Sequence, residues 1–475
     1  MLVPKVSVVL GDGCLGAAVA HLLSSTGLAS QVRSSPVLDD WDGLSDVCRG
    51  ADVVYLLSSL DLGSSPADES ALQDFKTGVS RVLDCCQECG VGSLVFTSSA
   101  SVVADDAKNG LTLADERMPF VSELEDPTAH AIAMAEAEVL MASGTQNLGG
   151  SSCLYTCALR PAMIYGTGED RLLKRALSWV GYGVNRLALG PKDVQRDLVF
   201  ADNLVRDAHV SRYIFLVRAL DMTKSEPTQI LAGAKLTQAT SSSSGAGWGT
   251  RGPVCSGQAY FITDGRPCNL QAFMDEILVG LDFPTTKILR LPAILGWLTA
   301  WTAELVCKGG ITTSPFLSRG EIKKLVTSRT YSITRAREDL AYKPIVDPDT
   351  AIRNTVESLK RDGWHRHTFL VPAVGWWISN PLGIWLVTLA GFGGPCPHVL
   401  APLVAKAQYV GLLLFGNVTV VQTICLAAYI THVLEGVYAF RLANKAGHSD
   451  TAPRWFLQTF ILGFPSLGLV KNLLS

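Results

Sequence analysis

The sequence predicts an α/β fold, a doubly wound parallel sheet, and three observations carry that expectation. Short β-rich runs alternate with longer helical stretches. A glycine-rich turn stands between the first such run and the first helix. The helical stretch "DESALQDFKTGVSRVLDCCQECG" is long enough to cross back over a sheet between parallel strands. In chain order the strand-like runs are "KVSVVLG", "ADVVYLL", "GSLVFTSS", "LYTCALRP" and, much later, "GQAYFITDG", which the amphipathic "NLQAFMDEILVGL" follows. Residues 221–256 break the rhythm: "SEPTQILAGAKLTQATSSSSGAGWGTRG" is rich in Ser, Thr and Gly, has no period, and reads as a flexible surface insertion.

The chain has 475 residues, 48% of them hydrophobic, enough for a full α/β domain and a second unit. A net charge of -3 supplies no basic field, which excludes nucleic acid as a partner class and leaves small molecules and membranes. Twelve cysteines, in a chain opening "MLVPKVSVVLG" without a recognisable secretory leader, are expected to be reduced thiols in a cytosol-facing domain. The cluster Cys85, Cys86 and Cys89 has no second pair of ligands at zinc-like spacing, so it is read as helix packing and no metal is expected.

After about Trp364 the composition changes. "TFLVPAVGWWISNPLGIWLVTLAGFGG" and "YVGLLLFGNVTVVQTICLAAYITHV" each reach the roughly 20 apolar residues that a membrane span needs, and "WFLQTFILGFPSLGLV" is a shorter third run. Residues 365–475 are therefore expected to form a helical membrane domain of two to three spans. Buried core helices of a soluble domain are the alternative, and the Pro-interrupted first run suits it. Lys360, Arg361 and Arg366 precede the first run, Lys406 separates the first two, and Arg441, Lys445 and Arg454 follow the second. With three spans this distribution places the α/β domain in the cytosol. Gln422, His432 and Glu435 fall inside an apolar run, where polar groups are costly and face other helices or the interface. The sequon at Asn417 lies there too and is expected to be unused.

Gly11, Gly13 and Gly16 space a G-x-G-x-x-G turn between strand and helix. Its glycines let backbone approach a pyrophosphate, and the helix N-terminus adds free N–H groups and a positive dipole. Where an acid would hold the ribose hydroxyls of NAD the chain reads "SQVRSSP". Arg33 there is either a partner for the 2′-phosphate of NADP, which tilts the expectation toward NADP, or a solvated arginine.

An ordered set of motifs then defines a resemblance: "GDGCLG", "GADVVYLLSS", "VGSLVFTSSASVV", "LRPAMIYGTGED", "RDLVFADNLVRDAHV" and "GQAYFITDG". Over roughly residues 5 to 360 the chain resembles the extended short-chain dehydrogenases/reductases of the 3β-hydroxysteroid dehydrogenase and sterol-4α-carboxylate 3-dehydrogenase family. The tail resembles a small membrane domain sometimes fused to such enzymes. The resemblance implies a Rossmann-type domain in about residues 1–165, an interleaved smaller substrate lobe up to 364, NAD or NADP as cofactor, and a steroid or sterol as substrate. It also implies an endoplasmic reticulum membrane. "RLPAILGWLTAWTAELV" falls where the family meets its lipophilic substrate and the bilayer, a buried core helix being the alternative.

Family chemistry uses a Ser beside the substrate hydroxyl and a Tyr-x-x-x-Lys pair on the next helix. The Tyr moves the proton, and the Lys stabilises its phenolate and holds the nicotinamide ribose. The Ser carries over to Ser99. In "DPTAHAIAMAEAEVL" the Tyr position is Thr128 and the Lys position is Ile132. Shifting the frame by two residues offers His130 as a substitute base and Met134 in place of the cation. The family's T-G before the glycine loop is Val9-Leu10, which puts a side chain where bare backbone passes the cofactor. The expectation is a dehydrogenase with reduced or lost hydride transfer, with a silent nucleotide- or sterol-binding scaffold as the alternative.

Overall fold

The computed structural model describes residues 6–11, 13–25, 29–35, 41–57, 69–105, 110–148, 152–166, 173–174, 176–177, 187–206, 255–283, 289–308, 318–364, 372, 374–392, 401–446, 449 and 451–471. Asp12, residues 167–170 of the "TGED" motif and residues 221–254 of the expected insertion lie outside them. Two compact units divide the chain. One gathers residues 1–172, 189–285 and 291–358, the other 173–188, 286–290 and 359–475. The division near 359 falls a few residues before the expected one at 364.

Six parallel strands make the main sheet: β1 (Val6–Leu10), β2 (Gln31–Ser35), β3 (Val53–Leu57), β4 (Ser93–Thr97), β5 (Cys153–Pro161) and β6 (Gln258–Ile262). They lie in the order β6-β5-β4-β3-β1-β2, with Thr145–Gln146 pairing antiparallel to the start of β5. Every residue of β3 and β4 is buried, as expected of strands covered on both faces. The edge strand β2 is polar, and none of its residues is buried. The chain runs from β1 out to β2 and returns to the far side of β1 as β3, so the direction of winding reverses between β1 and β3. Ligands of open α/β sheets bind at the strands' carboxyl ends at such a reversal.

Helices α1 (Gly13–Ser25), α2 (Trp41–Cys48), α3 (Glu69–Glu88) and α4 (Pro127–Met141) connect these strands. In α3 the buried Leu72, Phe75, Val79, Val82, Leu83 and Cys86 recur at three- and four-residue steps, and Gly90 at φ +72° follows its end. Cys48, Cys85 and Cys86 belong to the same apolar core, and Cys89 turns its Sγ to the Ser45 carbonyl at 3.7 Å, in keeping with a packing role. A smaller lobe in this unit pairs Cys268–Asn269, Gln195–Arg196, Arg329–Tyr331 and Leu111–Ala114 in one sheet, and Leu198–Phe200 with Met163–Tyr165 in another. Asp264 anchors the second, accepting from Tyr165 Oη at 3.1 Å, Phe200 N at 3.1 Å and Asn203 Nδ2 at 2.8 Å.

The helix Ala293–Lys308 buries one face and leaves the other exposed. Ala300 and Ala303 are buried, whereas Ile294, Leu298, Trp301 and Leu305 are each more than half exposed.

In the other unit the helices are Val374–Phe392, Ala401–Phe415, Val418–Lys445, Ala452–Leu462 and Phe464–Lys471. The expected second span from Tyr409 to Val433 is not one helix. Gly416 at φ +70° ends the first piece, and Asn417 caps the next by accepting from Thr419 N at 2.8 Å. Gly followed by Asn supplies both a left-handed stop and a strong N-cap, which the apolar composition concealed. The third run is also broken, at Gly463 with φ +66°. Among the described residues one helix, Val418–Lys445, is long and apolar enough to cross a membrane.

Candidate functional site

The glycine turn is built by backbone crowding. Gly11 follows β1 with φ +135°, and its N–H donates to the Ser35 carbonyl at 3.1 Å. A Cβ on Gly11 would lie 2.9 Å from Leu57 Cβ, and one on Gly16 would lie 2.8 Å from the Gly11 carbonyl oxygen. The carboxyl ends of β1 and β3 and the start of α1 therefore meet where only glycine fits. Gly13 is the first residue of α1, whose opening N–H groups have no partner within the helix. This cradle fits the pyrophosphate of a dinucleotide.

Two neighbouring expectations come out differently. Leu10 is fully buried in the core, so its side chain packs into the sheet interior. The Arg33 guanidinium caps the C-terminal end of α2, with Nη1 donating to the Val47 carbonyl at 3.0 Å and the Arg49 carbonyl at 2.8 Å. A 2′-phosphate at Arg33 would have to displace those bonds, because carbonyls at a helix end already attract the cation.

Helix α4 is securely started. Asp126 accepts from Ala129 N at 3.0 Å, Pro127 fills the first turn, and Lys324 Nζ meets the other Asp126 oxygen at 2.6 Å. The helix packs on the turn Ala100–Val102, which Ser99 opens: its Oγ accepts from Ser101 N at 3.2 Å and lies 2.7 Å from Ser101 Oγ. Ser99 and Thr128 are both buried, and Ile132 is wholly so, within the apolar core. Thr128, Ile132 and Glu136 follow at four-residue steps and share one buried face.

His130 does not lie on that face. Two residues beyond Thr128 it stands about 200° round the helix, on the flank that it shares with the exposed Met134. Its Nδ1 lies 2.9 Å from the Val121 carbonyl. A carbonyl only accepts, so Nδ1 carries the proton and the neutral ring keeps its lone pair on Nε2.

Sequence reasoning missed the strongest polar contact on α4. Glu136 receives Arg160 of β5 through Nε at 3.0 and 3.1 Å and Nη2 at 2.6 Å, and both side chains are buried. Phe120 and Phe261 flank the guanidinium at 5.5 and 5.4 Å. The signal was present as the "AE" after the Lys position and the "LRP" of β5, both of which the family motifs contain. The lobe holds a second unforeseen cluster, in which Asp105 receives Lys323 Nζ at 2.6 Å and also Arg329. Burial and the neighbouring Arg329 lower Arg196 to about 10.

Three described phenols of this unit are set against the role of a base. Tyr165, Tyr260 and Tyr331 are pushed up, first by burial, and for Tyr165 and Tyr260 next by Asp264 and Asp339. A general base at neutral pH requires the opposite shift.

A reversing parallel sheet with a glycine cradle and a serine turn against a capped helix defines a nucleotide-binding dehydrogenase/reductase fold. The profile of the 3-beta hydroxysteroid dehydrogenase/isomerase family matches residues 29–293, more than half of the chain, and the protein belongs to that family. A second profile, Transmembrane protein 254, matches residues 375–472. Human short-chain dehydrogenase/reductase family 42E member 1 is 33% identical over 275 residues, covering 56% of this chain and 60% of its own. The 3beta-hydroxysteroid-dehydrogenase/decarboxylase isoform 1 of Arabidopsis thaliana is 30% identical over 288 residues, covering 59% and 56%. The decarboxylating sterol-4-alpha-carboxylate 3-dehydrogenase erg26 of Schizosaccharomyces pombe is 27% identical, covering 61% and 72%. The chain thus spans 60% of the length of the 42E relative that it matches. The crystal structure of gox2253 superposes with a TM-score of 0.53 at 17% identity, covering 76% of this chain and 99% of that one, a likeness of fold.

Proposed function

We propose that this protein is a membrane-associated member of its family that keeps the dinucleotide cradle and has lost most of its capacity for hydride transfer from a 3β-hydroxyl. The observation that carries the proposal is Ile132, wholly buried in the apolar core where the reaction needs a cation. When bound, NAD or NADP would supply the hydride acceptor. Gly11, Gly13 and Gly16 would hold its pyrophosphate, Ser99 would orient the substrate hydroxyl, and Thr128 would offer a neutral hydroxyl at the tyrosine position. An alcohol side chain cannot take up a proton at neutral pH, and Ile132 has no charge to shift that balance. A positioned acid/base contributes about 10²- to 10⁴-fold, so the loss is severe.

The membrane part of the proposal is supported by the apolar helix Val418–Lys445, the Transmembrane protein 254 match and the exposed apolar face of Ala293–Lys308. An endoplasmic reticulum membrane with the dehydrogenase unit in the cytosol follows from the family and from the basic residues flanking the apolar runs. Alkaline carbonate extraction should leave the full chain in the membrane pellet, and release into the supernatant would refute the assignment.

Fluorescence titration with NADH and NADPH should show saturable binding that Gly13→Val abolishes, with turnover of 3β-hydroxysterols near background. Robust turnover lost in His130→Ala would overturn the proposal in favour of a substitute base.

A further inference from the structure

We infer that the C-terminal unit holds a binding site for the hydroxyl group of a lipid alcohol, between His432 and Glu435 at the helix break marked by Gly463. This inference rests on the reading that the helix Val418–Lys445 lies in a bilayer. Its 28 residues extend about 42 Å at 1.5 Å per residue, against a hydrocarbon core of about 30 Å. His432 stands at the middle of the helix and Glu435 one turn on, on the same side. Two ionisable side chains at that depth are costly, and such residues mark functional sites.

Both chains address one point. A Cβ on Gly463 would lie 3.1 Å from Glu435 Oε2 and 3.2 Å from His432 Nε2. His432 Nδ1 lies 2.7 Å from the Phe460 carbonyl, so it holds the ring proton and leaves the Nε2 lone pair directed at the break. No ion pair or hydrogen bond joins the two side chains, and the Glu435 carboxylate has no partner among the described residues. Two acceptors converge without a donor between them.

At mid-bilayer depth the donor that completes the pair is the hydroxyl of a lipid alcohol. A metal ion would need further ligands, and the described residues contain no group of three metal-ligating side chains. A hydroxyl supplies the donor with no net charge. Next to Glu435 the helix presents Leu434 and Tyr438, 63% and 48% exposed, an apolar flank along which a lipid body can lie. Gly463 brings no side chain to this point, and a Cβ there would press on both polar groups at 3.1–3.2 Å.

The test uses the full chain in phosphatidylcholine nanodiscs with a 3β-hydroxysterol bearing a diazirine on its side chain. Photolabelling within residues 418–471 is expected, falling at least tenfold for the 3-methyl ether of the same probe. Gly463→Ala, which fills the space, and Glu435→Leu should each reduce labelling tenfold. Glu435→Gln should keep about half, because its amide oxygen still accepts. Glu435→Leu removes a polar group from apolar surroundings, so it should not cost membrane insertion, which carbonate retention checks. Labelling that is equal for alcohol and ether, or indifferent to Glu435→Leu and Gly463→Ala, overturns the site. Release of the chain by carbonate defeats the bilayer reading instead.

Discussion

The glycine turn after β1 and helix α4 carry the two halves of a dehydrogenase's work, and they have kept different things. At the turn, Gly11 and Gly16 are fixed by backbone contacts that a single methyl would violate. On α4 the features that hold the helix in place remain: the Asp126 cap, the Lys324 contact and the Glu136–Arg160 clamp. The two positions to which the resemblance assigns the chemistry hold a small hydroxyl, Thr128, and a core hydrocarbon, Ile132. Packing constrains a helix whether or not it catalyses, so the cap and the clamp say nothing about turnover, and the two substituted positions are where the proposed loss is tested.

The sharpest way to break this comparison is at the clamp. Glu136→Leu or Arg160→Met alone leaves an unpaired buried charge and should cost about 3–5 kcal/mol in urea unfolding, whereas the double replacement should recover most of the loss. Singles costing less than about 1 kcal/mol would remove the clamp from the account.

Next in size is restoration of the chemistry. Thr128→Tyr with Ile132→Lys should raise sterol turnover about 10²-fold, and each change alone should do far less because the groups act as a unit. Ile132→Lys alone puts an ammonium into the core and should lower the melting temperature. A double variant no faster than the parent would show that Thr128 and Ile132 are not what limits turnover.

Gly16→Ala is the matching challenge to the turn. A methyl placed 2.8 Å from the Gly11 oxygen should force the loop apart and weaken NAD(P)H binding about tenfold, read by fluorescence titration. An unchanged Kd would place the cofactor elsewhere.

A smaller effect is expected from Asp197, which burial pushes up to about 6 although the Tyr331 N–H, at 2.7 Å, works the other way. The unfolded chain ionises this group near 3.9, so between about pH 4 and 6 the folded state keeps a proton that the unfolded state has lost. Its stabilising contribution is complete below about pH 4 and is lost as pH rises through about 6. Asp197→Asn can still accept from Tyr331 and should be more stable than the parent at pH 7 by on the order of 1 kcal/mol, with no difference at pH 4. Smallest of all, Arg33→Gln should cost only about 0.3–1 kcal/mol through the α2 terminus and leave any preference between NADH and NADPH unchanged.

The sheet was legible because its strands announce themselves as short apolar runs between helices of correct period, and because β3 and β4 are buried on both faces. The glycine cradle was legible for a related reason, since local backbone demands are written in local residues, whereas Ser99 was named through the resemblance and its turn was not foreseen. Arg33 was not, since a lone arginine reads the same whether it meets a phosphate or the carbonyls of Val47 and Arg49. The clamp was hidden because its partners are 24 positions apart: "AE" and "LRP" each mark one of them, but neither points to the other. In the C-terminal unit, hydropathy gave the apolar content but averaged over Gly416-Asn417, so it joined two helices that the cap separates.

Where β6 enters the sheet, the Ser256 hydroxyl lies 2.7 Å from Ser143 Oγ and the Gly257 N–H donates to the Thr156 carbonyl at 2.8 Å. The register of the strand is therefore latched at its doorstep, to the end of α4 and to β5, before its first ladder bond. Such a latch settles which side chains of β6 face the core before the ladder closes, because a slip of one residue would turn every one of them to the other face.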